Sequence, residues 1–264
     1  MSKLSANIIR LKNAPNNRLL LLKAAFKKSQ KIDRDYHAQS MPDEQFHLES
    51  IRLDESRIRP FHSVVHWQPQ IKFVHPCYLH TLAFPLHLKL LLLPSCPFSL
   101  LGLIHLSNQI KQIRPIFAGE SLHMTAGFGG LSKHVKGWAF SINIEFYKSE
   151  ELVWSSQSYY LSRSKQSHVV RSEKVRPEKD NNVQISIEQT LPSKLGREYA
   201  KVSGDYNPIH LTKLSAQLFG LKRHIAHGMW TKAFSLSMLQ SSLETNLSNA
   251  FEANVEFKQP LYLP

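Results

Sequence analysis

Cysteine is nearly missing from this chain, with two residues, Cys77 and Cys96, among 264. Two thiols cannot build the disulfide framework of a small secreted domain, so each reads as a small buried hydrophobe in a reducing compartment. Acidic residues are absent from residues 1–32, where Lys3, Arg10, Lys12, Arg18, Lys23, Lys27, Lys28 and Lys31 stand without counter-charge. Taking those eight from the net +13 leaves +5 for the rest of the chain. The basicity is therefore largely N-terminal and does not describe a folded nucleic-acid platform. The segment reads as a solvated basic leader. Its interleaved Ile8, Ile9, Leu11, Leu19 and Leu22 also fit an acid-poor targeting segment, so an organellar address stands beside a cytoplasmic one. A secretory signal is missing, because the N-terminal apolar run is short and carries lysines. A clean membrane span is missing too: Lys89, Pro94 and Pro97 interrupt the apolar run 88–106. A soluble protein is expected.

What is present describes a globular chain. Hydrophobic residues make up 42%, with 14 Phe, 8 Tyr and 4 Trp, enough for one large domain or two small ones. Residues 1–50 show little periodicity and read as a basic N-terminal extension. Residues 78–93 are apolar on nearly every face, which predicts a helix enclosed by other structure. Strand-like runs follow at 103–110, 121–128, 137–147 and 152–161, rich in aromatic and β-branched residues, predicting an antiparallel sheet in an α+β fold. Residues 166–182 are polar, with Pro177 and Asn181-Asn182, and read as a linker between a unit at 51–165 and one at 183–264. In the second unit a short strand is expected at 183–187 and a helix at 192–201.

A faint internal echo ties the two units together. Ala83-Phe84-Pro85-Leu86 lies against Ala226-His227-Gly228-Met229, which sets Pro85 opposite Gly228. Asn108-Gln109-Ile110 leads to Arg114-Pro115, much as Asn254-Val255-Glu256 leads to Gln259-Pro260. The first copy continues in strands from Pro115 to Arg163, whereas only Leu261–Pro264 follow Pro260. The second sheet is accordingly expected to be truncated at the C-terminus and the chain to be less than the complete functional protein. Its open edges would invite a second copy, a homodimer.

The segment 199–229 carries the chemistry. Asn207 is an N-cap with Pro208 at the first helical position, and Gly220 is placed to end a helix reaching about Phe219. Asp205 before the cap and His210 in the first turn can face one cleft, with Gly204 letting the backbone approach a ligand. A second helix starts near Gly228, whose N–H would stand at the positive end of the helix dipole. An acid/base pair plus a backbone donor suits proton abstraction beside a carbonyl, or water addition across a conjugated double bond. His210, His224 and His227 with Asp205 match no familiar metal spacing, so no metal is expected. His224 and His227 read as residues that fix the loop before the helix.

The string Tyr199-Ala200-Lys201-Val202-Ser203-Gly204-Asp205-Tyr206-Asn207-Pro208-Ile209-His210, with Ala216, Gly220 and Ile225-Ala226-His227-Gly228-Met229 downstream, resembles the signature of MaoC-like (R)-specific enoyl-thioester hydratases. The two-copy layout resembles their double hot-dog members, in which two antiparallel sheets each wrap a central helix and the C-terminal copy is catalytic. The resemblance implies reversible hydration of trans-2-enoyl thioesters to (R)-3-hydroxyacyl thioesters in fatty-acid metabolism. It casts Asp205 and His210 as the pair that holds a water, and the Gly228 N–H as the oxyanion donor. Asn207, Ser203 and Gly204 would shape the substrate site, and Lys222 and Arg223 would meet the phosphates of coenzyme A. No organic cofactor is implied. The partners are the acyl thioester and, as a candidate, an acyl carrier protein. The competing readings are a hot-dog thioesterase and an inactive fragment or scaffold of the same fold.

Overall fold

The computed structural model describes residues 7–27, 41–68, 72–164, 188–242, 247 and 249–264. The sequence patterns in the first unit become long strands: β3 (Leu103–Gln112), β4 (Ser121–His134), β5 (Gly137–Lys148) and β6 (Glu151–Arg163). They are joined by β1 (Ile8–Leu11), β2 (Gln45–Arg52) and β7 (Phe251–Glu256) in a single seven-stranded sheet of order β1-β2-β4-β5-β6-β3-β7. Every pairing is antiparallel except β1 with β2. Alternation works as a half-buried sheet requires: Phe140, Ile142, Ile144 and Phe146 of β5 are all within 1% of full burial.

Against the sheet lies α3 (Tyr78–Leu92), apolar all round because it is covered all round, with Leu79, Ala83, Leu86, Leu88 and Leu90 at or below 1% exposure. Each such side chain contributes roughly 1.5–3 kcal/mol of burial. The other helices are α1 (Asn17–Phe26), α2 (Glu55–Val64), α4 (Leu195–Ser203), α5 (Lys213–Gln217) and α6 (Gly228–Ser242). Both cysteines are buried and unpaired. None of the described helices is long and apolar enough to cross a membrane.

Two expectations change. The described residues 7–27 and 41–50 do not stand apart as an extension: β1 and β2 build one side of the sheet, and α1 packs on α3. Their mixed burial hid them, since an edge strand and a surface helix show half a pattern each. The Lys27 ammonium, beyond the end of α1, donates to the carbonyls of Leu91, Leu93 and Cys96, capping the free carbonyl end of α3. The echo also changes. Pro85 lies in the middle of α3, so the residue that corresponds to Gly228 as the first of a 15-residue helix is Tyr78. Its N–H is already taken by His75 O at 2.8 Å, which leaves no free donor there. The echoed strands β3 and β7 pair directly, Asn108 with Val255 and Gln109 with Asn254. The expected linker 166–182 and strand 183–187 lie outside the described residues.

Helix α6 is fixed at three points. Trp230 Nε1 donates to Val64 O, His75 Nε2 pairs with Ala233 O, and the buried Lys232 ammonium donates to Asn108 O, Asn108 Oδ1 and Ala253 O at 2.7–2.9 Å. The interior is unusually rich in imidazole. Burial pushes His75, His87, His105 and His210 down to about 3, and His62 and His227 to about 4.

These groups stay neutral in the fold but take a proton below about 6.5 once unfolded, so the unfolded state binds more protons across that window and stability falls as pH drops. Each contributes up to about 1.4 kcal/mol per pH unit. Six together would exhaust a typical domain stability of about 5–15 kcal/mol near pH 5. Urea midpoints are expected to be flat above pH 7 and to drop steeply from pH 6.5 to 5. A flat profile through pH 5 would show that these rings are not buried neutral.

Candidate active site

The site grows out of one chain turn. Helix α4 ends at Gly204, whose φ of 76° is the left-handed conformation that stops a helix cheaply with glycine. The chain then turns through Asp205. Ser203 Oγ, buried, accepts the Asp205 N–H at 3.2 Å, and Asp205 Oδ1 accepts the Asn207 N–H at 3.1 Å. Asn207 Oδ1 in turn accepts the Ile209 N–H, capping a 3-10 turn at Pro208–His210. Three side chains thus satisfy the backbone of a tight reversal, which orients the Asp205 carboxylate.

The single helix expected from Pro208 to Phe219 is divided. Thr212 interrupts it and caps α5 through a reciprocal bond with Ser215, the local competition that hydroxyl side chains offer a helix. Gly220, at φ 78°, closes this stretch as expected.

His210 is 8% exposed. Its Nδ1 sits 2.8 Å from Ile225 O, while Ile225 N–H donates to Ile209 O at 3.1 Å, a two-way clasp between the turn and the lead into α6. A carbonyl can only accept, so Nδ1 carries the proton and Nε2 keeps a lone pair. His227 stacks on His210 with ring centroids 3.7 Å apart, and its Nε2–H donates to Asp205 O at 3.0 Å. Tyr199 of α4 packs on the other side of His227 at 4.9 Å. Asp205, His210 and His227 offer ligand-type atoms all within 4.8 Å of one another. These are residue types that could hold a metal, and folding unites them where spacing along the chain did not reveal it. One nitrogen of each imidazole is already committed to a backbone carbonyl.

Electrostatics set the resting state. Burial holds His210 at about 3, with the His227 ring adding to the effect and the Asp205 carboxylate opposing it. Burial also raises Asp205 above the ordinary carboxylate range, against the pull of His210 and the Asn207 N–H. Its side chain keeps 28% exposure, so it can meet a solvent-borne ligand. At neutral pH the pair is a carboxyl group whose proton burial holds more tightly, facing a neutral imidazole.

Gly228 opens α6, and its N–H is among those that intrahelical bonding leaves free. A Cβ built there would stand 3.0 Å from the Phe257 ring, so the ring packs at van der Waals range on the helix start. The remaining expected positions divide. Ser203, Gly204 and Asn207 belong to the turn. Lys222 and Arg223 are exposed on the loop before α6. The Asn17 amide of α1 packs on Gly204, and a Cβ at Gly204 would clash with it. Asn17 escaped the sequence reading because nothing local links residue 17 to residue 204, and Tyr199, which opens the signature string, was assigned no role there.

Comparison with known proteins follows the geometry. Residues 172–264 match the family model described as MaoC like domain. The fold as a whole is a MaoC-like hot dog with a single seven-stranded sheet. The chain is 27% identical over 228 residues, 85% of its length, to the 3-hydroxyacyl-thioester dehydratase X of Mycobacterium tuberculosis, covering 78% of that protein. The crystal structure of HtdX from the same organism superposes with a TM-score of 0.69 at 25% identity, covering 83% of this chain and 84% of that one. A MaoC-like dehydratase from Phytophthora capsici gives 0.65 at 15% identity over 83% and 81%. A Mycobacterium tuberculosis protein with a double hotdog fold gives 0.52 at 12% over 91% and 82%. The last two speak for the fold alone.

Gly196 of α4 faces the backbone of His210 so closely that a Cβ there would collide with the His210 carbonyl. Gly196→Ala is expected to cost about 1–3 kcal/mol as an overpacked contact and to displace the His210 turn. Denaturant unfolding alongside the histidine ring NMR signals checks this; an unchanged midpoint with unshifted His210 resonances contradicts the packing.

Proposed function

We propose that this chain is a hydro-lyase acting on acyl thioesters, interconverting trans-2-enoyl and (R)-3-hydroxyacyl thioesters. The observation that carries it is the approach of the Asp205 carboxylate to a His210 ring held as the Nδ1–H tautomer, with His227 of the same group directly preceding Gly228, the first residue of α6. The name of the mycobacterial relative supports the same substrate class. On this reading the two-layer arrangement is a double hot dog. Residues 51–165 would be the non-catalytic half and residues 183–264 the catalytic one.

In the hydration direction a water lies between Asp205 and His210 Nε2. The pair removes one proton as the oxygen bonds to C3, and returns a proton to C2 as the enolate collapses. The Gly228 N–H, aided by the α6 dipole, receives the thioester oxygen while it bears negative charge. Which member gives and which takes the proton belongs to the coupled pair. Asn207, Ser203 and Gly204 hold the turn, and Lys222 and Arg223 lie where a coenzyme A phosphate or an acidic carrier protein could be met. The chemistry needs water and a base and no organic cofactor, and it suits fatty-acid metabolism in the cytoplasm or an organelle.

Loss of the enoyl-thioester absorbance with crotonyl-CoA tests the proposal. Asp205→Asn and His210→Ala are each expected to lower kcat by about 10²–10⁴-fold, the range for positioned acid–base groups. Because Asp205 is raised and must be ionised, kcat/KM should fall on the acid side with an apparent pKa above 3.8. Activity should survive dialysis against a chelator. Loss there, restored by a divalent metal, would replace direct acid–base chemistry with a metal held by Asp205, His210 and His227. A folded wild-type chain that leaves the chromophore untouched refutes the hydratase reading.

A further inference from the structure

Beside the Asp205–His210 group lies a second set of imidazoles that the proposed chemistry does not use. His80 and His87 stand on α3, His105 on β3 and Tyr160 on β6. His80 is 6% exposed and His87 2%. The His80 ring centroid lies 5.2 Å from His87 and 6.3 Å from His105, and Tyr160 stacks on His105 at 4.7 Å. The Tyr160 hydroxyl meets His87 Nδ1 at 3.1 Å. That bond satisfies one nitrogen. His80 Nδ1, His87 Nε2 and His105 Nε2 are all shut off from solvent with no partner among the described residues.

Leaving a buried polar atom unpaired costs about 1–3 kcal/mol, and folded proteins pair nearly all of them. Three in one cluster therefore mark a place built to bond something other than the protein. Its position relates it to the candidate active site. Phe257 packs on His105 with centroids 4.9 Å apart, and the same ring closes on Gly228. Tyr160 is near enough to Asp205 for that carboxylate to add to the effect of burial in raising the phenol. The cluster is thus one aromatic ring away from the oxyanion donor and beside the reacting pair, where the acyl chain beyond C3 has to go.

The character of the rings narrows the ligand. Burial keeps His87 and His105 at about 3 and His80 well below its usual 6.5, and the nearby Lys232 ammonium further disfavours charge on His80 and His105. A neutral imidazole offers one N–H and one lone pair. That inventory matches a hydroxyl or carbonyl, whereas a carboxylate would call for a cation. Lys232 is already committed to Asn108 and Ala253.

We propose, building on the thioester reading above, that His80, His87 and His105 form a polar subsite for a neutral oxygen-bearing substituent on the acyl chain. The preferred substrates are then oxygenated enoyl thioesters and not plain alkyl ones.

The experiment is calorimetric binding to the Asp205→Asn chain, which separates recognition from turnover. The probes are hexanoyl- and octanoyl-CoA and their terminally hydroxylated counterparts. The hydroxyl is expected to tighten binding about tenfold at one of the two lengths, the gain one good hydrogen bond can give. His87→Phe and His105→Phe should reduce that gain to less than twofold. Should either variant fail to fold, ¹⁵N imidazole shifts of His80, His87 and His105 in the Asp205→Asn chain serve instead. They should move with the hydroxylated ligand and stay with the plain one. Equal or weaker binding of the hydroxylated probe, or unmoved shifts, overturns the subsite: the nitrogens then bond only water, and the thioester reading stands. If none of the four probes binds, the thioester reading itself falls and the subsite falls with it.

Discussion

The site depends on the clasp between residues 209–210 and Ile225. Ile225 gives its N–H to Ile209 O and takes the Nδ1–H of His210 on its own carbonyl. One residue's two backbone groups therefore fix the tautomer of the imidazole and join the Asp205 turn to the chain entering α6. Ile225 also bridges to Tyr262, which anchors the clasp to the last residues of the chain. Release that pairing and His210 loses its orientation, Gly228 loses its register against the turn, and His227 no longer has a ring to stack on.

Around this clasp the fold solves a burial problem. Imidazoles and one lysine are placed in an interior where charge is costly, and several of them are made tolerable by hydrogen bonds. His75, His210 and His227 find backbone carbonyls, and Lys232 finds three oxygens from β3 and β7. The Asp205 turn uses Ser203 and Asn207 to satisfy its own backbone, leaving the carboxylate available. The neutral state that burial forces on His210 is also the state the proposed acid–base chemistry would ask for, so one desolvation would burden stability at low pH and serve that chemistry at neutral pH.

The two halves differ in how their helices begin. Helix α6 starts with a glycine whose missing side chain admits the Phe257 ring, whereas α3 starts at Tyr78 with its N–H held by His75 O. On the proposed reading, a backbone donor for a developing oxyanion would stand at the start of α6, and the corresponding position in α3 is closed. The distinction lies in a hydrogen bond and not in Pro85, which sits mid-helix.

The sequence by itself determined the α+β class, the four long strands, the enclosed helix α3 and the residues of the Asp205–His210 turn. These rest on local rules: alternation, apolar periodicity, an Asn-Pro helix start and glycine stops act within a few residues of where they are read. It missed β1 and α1, because an edge strand and a surface helix carry only half a hydrophobic pattern, and it missed β2, whose second half is largely exposed. It drew one helix from Pro208 to Phe219 where Thr212 caps a new one. Only the tertiary structure decided that Asn17 lies on Gly204, that His227 stacks on His210, and that His80, His87 and His105 meet beneath Phe257. Those contacts join residues far apart in the chain. They follow from how the sheet and helices close over one another, which no short window of sequence records.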